Sequence, residues 1–259
     1  MILLVDIGNT QTVYGVHDGA RLQQSWRQST ESRRTADEHR AFLQPVFSEA
    51  ELEPSTIQGV CMASVVPEAL PAAQQAIETL TGCTALVVGP GLKTGVPIRV
   101  ENPREVGADR IVNVAGAWDL HQTALLVVDF GTATTFDVVD RDGAYRGGAI
   151  APGLQTSLDA LVRRTAKLRQ VDICAPPQVT GRTTEQAMQS GLFYGYAGLV
   201  QGLVGQLRSD NPEVERVLAT GGLARVLHPV VPAIHEVVDD LTLHGLWCIY
   251  KRNENEVHG

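Results

Sequence analysis

Leu3-Leu4-Val5-Asp6-Ile7-Gly8-Asn9-Thr10-Gln11-Thr12 and Leu126-Val127-Val128-Asp129-Phe130-Gly131-Thr132-Ala133-Thr134-Thr135 are two versions of one pattern. Each is a short apolar run ending in Asp, with Gly two residues later and hydroxyl or amide side chains after it. Aligned, they pair Asp6 with Asp129, Gly8 with Gly131, Asn9 with Thr132 and Thr12 with Thr135. Their offset is near half the 259-residue chain. The pattern therefore predicts two copies of one fold unit and not a solenoid of many repeats.

Working outward, each copy continues into a second apolar strand. Thr12 to His17 runs into the turn Asp18-Gly19, and Thr135 to Val139 into the turn Asp142-Gly143. Strand, tight turn, strand is a hairpin signature. Helical periodicity covers residues 35–50, 70–81, 109–122, 153–165 and 184–208, and more weakly 223–231. Further strands are expected over 59–63, 84–88 and 214–219. Hairpins followed by alternating helices and strands describe a mixed α/β unit seen twice, with domains at 1–116 and 117–259. Residues 89–104 are rich in Gly and Pro and read as a loop. The polar tail after Tyr250 is expected to be unstructured.

The formal net charge of -8 argues against nucleic acid or an anionic membrane as the main partner, because phosphate contacts need clustered Lys and Arg. An anionic small molecule is still compatible, since a few local cations suffice for it. The cysteines Cys61, Cys83, Cys174 and Cys248 form no C-x-x-C pair and no Cys/His cluster of zinc spacing, so they read as reduced thiols. His228, His235 and His244 read as surface or core residues and not as ligands. With no signal-peptide pattern and no apolar run of spanning length, the expected location is the cytoplasm.

Three glycine-bearing turns follow strands. In Asp6-Ile7-Gly8-Asn9-Thr10 the glycine permits close backbone approach, neighbouring amides and hydroxyls can bind phosphate oxygens, and Asp6 can hold a metal ion. Asp129 to Thr135 repeats this, and polar strand ends are where α/β proteins build sites. Thr220-Gly221-Gly222 would let a flat adenine or ribose lie against the backbone. Taken singly, each is as readily an ordinary turn. Gly107-Ala108-Asp109-Arg110 stands at a loop-to-helix junction. A carboxylate there could accept a hydroxyl proton and the arginine could clamp an anion, although a helix-terminal acid beside a solvated arginine is the simpler reading of those residues alone. There is no G-x-x-x-x-G-K-[ST] loop, so a P-loop kinase is excluded.

Together the motifs resemble a known superfamily, that of acetate and sugar kinases, heat-shock chaperone ATPases and actin. Within it, D-I-G-N-T at the N-terminus, S-V-V-P at 64–67, N-P-x-x-x-G-A-D-R at 102–110, D-x-G-T-A-T-T at 129–135, G-G-x-I-x-P-G at 147–153 and T-x-x-A-M-x-S-G at 184–191 resemble type III pantothenate kinase, over residues 1 to about 223. The resemblance implies two duplicated RNase H-like (actin-like ATPase) domains with a cleft between them, and ATP-dependent phosphorylation of pantothenate at the start of coenzyme A biosynthesis. By that analogy Asp109 is the general base and Arg110 binds the pantothenate carboxylate, with Gly107 and Ala108 lining the same pocket. Asp6, Ile7, Gly8, Asn9, Thr10, Gln11, Thr12 and Val13 form the first phosphate loop, and Thr132 contacts ATP. Asp129 holds a monovalent cation, K⁺ or NH₄⁺, with Mg²⁺ on the phosphates. Thr184 contacts substrate near a homodimer interface, and read from its own surroundings it is also a helix N-cap. Val100 occupies a substrate-contacting position that is aromatic in some members. The competing readings are another small-molecule kinase of the same fold and a non-catalytic nucleotide-binding regulatory protein. The acid at Asp109 argues against the second.

Overall fold

The computed structural model describes residues 1–257, with side chains described to Glu254. The chain divides into two compact units. One comprises residues 1–96, 101–120 and 241–259, and the other residues 97–100 and 121–240. This differs from a single cut at 116/117, because the chain returns to the first unit for its last helix.

The first unit is built on β1 (Ile2–Ile7), β2 (Gln11–His17), β3 (Leu22–Ser29), β4 (Gly59–Ser64) and β5 (Ala85–Val87), in the sheet order β3-β2-β1-β4-β5. The strands β1, β2 and β3 pair antiparallel, while β4 runs parallel to both β1 and β5. The period-2 alternation of β1 sends Leu3, Val5 and Ile7 into one cluster with Tyr14, Val60 and Met62. That cluster also holds Leu43 and Phe47 of α1 (Ala36–Glu49) and Ala73 and Ile77 of α2 (Leu70–Thr81). Helix α1 starts on a capping box, in which Thr35 and Glu38 satisfy each other's backbone N–H groups. On the other face, α7 (Leu241–Val257) packs against β1 and β4. With both faces covered, β1 reads as a continuous apolar run.

The same order recurs in the second unit. Its strands β6 (Leu125–Phe130), β7 (Ala133–Val139), β8 (Tyr145–Pro152), β9 (Arg216–Gly221) and β10 (Glu236–Val237) form the sheet β10-β9-β6-β7-β8. Again the first three are antiparallel and β9 is parallel to β6 and β10. Read from its central strand, each sheet has the hairpin pair on one side and two parallel strands on the other, which is the expected duplication. Leu126, Val128, Phe130 and Phe136 pack with Leu154 of α4 (Leu154–Arg164), with Phe193, Tyr196 and Val200 of α5 (Thr184–Asp210), and with Ala224 of the short α6 (Ala224–Leu227).

Several features depart from the sequence reading. Strand β3 was not expected because Leu-Gln-Gln-Ser-Trp-Arg-Gln-Ser is a polar edge strand with little apolar alternation. Strand β8 was hidden by the adjacent glycines and terminal proline of Tyr-Arg-Gly-Gly-Ala-Ile-Ala-Pro. The tail after Tyr250 is not unstructured over the described residues, because it is the end of α7, fastened where buried Asn253 donates to the Lys93 and Ile249 carbonyls at 3.0 and 2.8 Å. Residues 258–259 of that expected tail lie outside the described residues. Finally, β9 lies two residues later than the reading of 214–219.

The helix that carries Asp109, α3 (Ala108–His121), is buried continuously from Ile111 to Ala117. It meets α7 where Gly116 faces Gly245, and Thr242 Oγ1 donates to Asn113 Oδ1 at 2.7 Å. No helix among the described residues is long and apolar enough to cross a membrane.

Candidate active site

In the first unit, the turn after β1 closes through Gly8 N–H, which donates to Gln11 O at 3.0 Å. Asp6 sits half-buried at the strand end beside Val13, Ile7 pairs with Thr12, and Asn9, Thr10 and Gln11 are exposed. The parallel neighbour β4 ends level with it, Ile7 opposite Ser64, and Val65 N–H donates to Ile7 O at 3.0 Å. The Asn102–Arg110 segment lands against this same edge: a Cβ on Gly107 would stand 3.8 Å from Val65 Cγ1. Sheet pairing and one loop contact thus bring Asp109 to the strand ends that carry Asp6, although the two are far apart in sequence.

Asp109 lies in the first turn of α3, and its Oδ1 accepts Arg110 N–H at 2.8 Å. Burial raises its pKa above the ordinary aspartate value, outweighing the Arg110 N–H bond and the Arg110 guanidinium, which both lower it. A carboxyl group that is desolvated yet held by donors is suited to take up a proton.

In the second unit the equivalent turn is one residue shorter, with Gly131 N–H donating to Ala133 O at 3.1 Å. The register therefore shifts: Asp129 pairs with Thr135 and Phe130 with Thr134. The structural counterpart of Thr12 is Thr134, not Thr135 as the linear alignment had it. Both threonines are buried and both hydroxyls are anchored, Thr12 Oγ1 on Thr30 Oγ1 at 2.9 Å and Thr134 Oγ1 on Tyr196 OH at 2.6 Å. Thr132 is exposed at the tip of the turn, and its carbonyl accepts Gly153 N–H at 3.0 Å and Thr156 Oγ1–H at 2.7 Å. The N-terminus of α4 is thereby held against the turn. Sequence reasoning did not single out Thr156; its hydroxyl three residues after Pro152-Gly153 is the signal that could have found it.

The third glycine turn adjoins Asp129. Thr220 pairs with Asp129 and Gly221 with Phe130. Gly221 has φ +90°, and a Cβ there would lie 2.6 Å from Asp129 Oδ1 and 2.7 Å from Phe130 N. Gly221→Ala is expected to destabilise the protein by about 1–3 kcal/mol through left-handed strain. It should also push the Asp129 carboxylate aside and lower any activity that needs it in place. Urea unfolding and steady-state kinetics on the variant check both effects.

Val100 is half-buried, with Cγ1 3.6 Å from the Cβ position of Gly147. Thr184 is exposed in the first turn of α5, and the N-cap is its neighbour Thr183, whose hydroxyl accepts Gln186 N–H at 3.2 Å. The capping reading of Thr184 is corrected accordingly: Thr184 is already helical, which leaves its hydroxyl free of that duty.

Two sheets of this order, each with an Asp-x-Gly turn at the end of its central strand, define a chain of the actin-like ATPase and sugar-kinase fold. Solved structures with that architecture include a ROK hexokinase from Thermus thermophilus, with TM-score 0.51 and 14% identity over 98% of this chain and 99% of that one. They also include a conserved Baf-family protein from Campylobacter jejuni, assigned as a transcriptional activator, with TM-score 0.59 and 19% identity over 98% of this chain and 99% of that one. At these identities the likeness is one of fold alone. The chain belongs to the type III pantothenate kinase family, whose model matches residues 2–206. A type III pantothenate kinase from Pelobacter propionicus is 47% identical over 253 residues, covering 98% of this chain and 100% of the relative.

Proposed function

We propose that this chain is a cytoplasmic, homodimeric kinase that transfers the γ-phosphoryl group of ATP to the primary hydroxyl of pantothenate. The product is 4′-phosphopantothenate, which opens coenzyme A biosynthesis. The observation that carries this reading is Asp109, a carboxyl group with a raised pKa, positioned beside the strand ends that bear the first Asp-x-Gly turn.

Phosphoryl transfer depends on positioning and charge neutralisation more than on covalent help from the protein. In this reading Asp109 accepts the hydroxyl proton and so orients the nucleophile. Arg110 clamps the pantothenate carboxylate, with Gly107 and Ala108 shaping the pocket beside it. Residues 6–13 bind phosphate oxygens through the amides and hydroxyls exposed at the turn. Thr132, presented by the turn that α4 and Thr156 brace, donates to ATP. Val100 and Thr184 contact pantothenate, the latter near the dimer interface. A carboxylate is an oxygen ligand of the kind hard cations take, so Asp129 would hold K⁺ or NH₄⁺. Mg²⁺, when bound, neutralises charge on the phosphates.

The test is ADP release with pantothenate and Mg²⁺-ATP, in KCl and in NaCl. Pantothenate-dependent turnover that requires K⁺ is expected. Turnover equal in both salts would remove the cation role of Asp129. Nucleotide binding without turnover in either salt would overturn the kinase reading.

A further inference from the structure

Helices α3 and α7 bring together three side chains that the kinase reading does not use. His244 and Cys248 stand four residues apart on α7 and so share one face of the helix. Asp119, near the end of α3 away from Asp109, meets them. His244 Nε2 lies 3.0 Å from Asp119 Oδ2 and 3.6 Å from Cys248 Sγ. The donor atoms of all three residues lie within 4.8 Å of one another.

One ring nitrogen, Nε2, faces both the carboxylate and the thiol. In a nucleophilic triad the histidine uses its two nitrogens for different partners, one for the acid and one for the nucleophile. Here the donors converge on a point instead. A tetrahedral zinc site with ordinary bond lengths has ligand separations of about 3.3 Å for N···O and about 3.6 Å for N···S. The observed separations fall close to both, so only small side-chain movements separate this cluster from a coordination shell. Asp119 and His244 are open to solvent, with side-chain exposures of 52% and 29%, which gives an ion a way in, while Cys248 is 9% exposed and forms the floor. The neighbouring His17 lies outside this donor group; its ring stacks on Trp247 and its Nδ1 accepts Gly19 N–H at 3.0 Å.

We propose that Asp119, His244 and Cys248 form a binding site for a borderline-soft divalent cation of the zinc class, with the fourth position left to water. A thiolate in the set selects against Mg²⁺ and Ca²⁺, which take all-oxygen shells. Such an ion would tie α3 to α7 at the end opposite Asp109. Metal affinity and catalysis are thus separable, and the site stands or falls independently of the kinase reading.

The experiment is a Co²⁺ titration of the full-length protein after chelator treatment, without nucleotide, followed by Zn²⁺ competition. The expected result is a thiolate-to-cobalt charge-transfer band with four-coordinate d–d intensity, both erased by Zn²⁺. Cys248→Ser should lose the charge-transfer band, while Cys83→Ser and Cys174→Ser keep it. Asp119→Asn alters only an exposed side chain and should weaken Co²⁺ binding with the fold intact by circular dichroism. Absence of the band in the parent protein, its persistence in Cys248→Ser, or unchanged Co²⁺ affinity in Asp119→Asn would each overturn the proposal.

Discussion

Asp109→Asn is expected to lower pantothenate-dependent turnover by about a hundred- to ten-thousandfold, the usual contribution of a positioned general base. Binding of ATP should stay close to that of the parent, because residues 6–13, the proposed phosphate loop, are untouched. The asparagine Oδ1 can still accept the Arg110 N–H, so the first turn of α3 keeps its geometry. Stability gives a second readout. Burial raises the Asp109 pKa in the folded state, so the native protein holds this proton to higher pH than the unfolded chain does. Stability therefore falls as pH rises from the ordinary aspartate range through the raised pKa, and at neutral pH the ionised group costs the fold free energy. Removing the charge should leave the Tm at neutral pH unchanged or higher. A lower Tm together with lost activity would instead mark Asp109 as a structural residue. In the parent, kcat/KM should fall as pH drops through the same raised pKa, which places the acid limb above the range of a free aspartate. Steady-state kinetics, nucleotide titration and thermal melts on one pair of proteins decide all of this.

Gly245→Ala is expected to be the most damaging of the small substitutions at the α3–α7 crossing. A Cβ on Gly245 would stand 1.9 Å from the Val112 carbonyl oxygen, and one on Gly116 would stand 2.8 Å from Leu241 O. The contact is backbone on backbone, so no flexible side chain can yield and the helices must separate. Ala gains about 1 kcal/mol over Gly in helix propensity. Overpacking costs about 1–3 kcal/mol and more where backbone must move, and at 1.9 Å the clash should win. A net loss of about 2 kcal/mol corresponds to a fall in Tm of roughly 4–8 °C for a chain of this size. Because α3 carries Asp109, turnover should fall along with it. A variant as stable and active as the parent would show that α7 can slide on α3 at little cost.

Much of the fold is legible in the sequence. Two apolar runs ending in Asp-x-Gly announce buried central strands and their turns, since only a strand covered on both faces can be so uniformly apolar. Helices α1, α2 and α3 were readable from their periodicity, and α5 from an unbroken run of helix-compatible residues. The edge strands β3 and β8 were not, because edge positions relax the apolar alternation that marks a strand. Nor was α7: its Lys251-Arg252-Asn253 end reads as a polar tail, whereas Asn253 is buried.

The site divides in the same way. Asp6, Asp129, Thr132 and the Gly107–Arg110 group stand at strand ends or in a first helical turn, as their local sequence indicates. The pairing of Thr12 with Thr135 failed because a turn shorter by one residue shifts the strand register, and register follows backbone hydrogen bonds that a linear alignment does not contain. The Asp119-His244-Cys248 cluster was invisible for a related reason. His244 and Cys248 share a face only once α7 is known to be a helix, and Asp119 joins them only because two glycines let α3 and α7 touch. By itself the sequence determined which segments are strands, turns and amphipathic helices, because those follow from side-chain period and glycine placement over a few residues. Tertiary structure decided the register between strands, the return of the last helix to the first unit, and which distant side chains meet, because those depend on packing between elements remote in the chain.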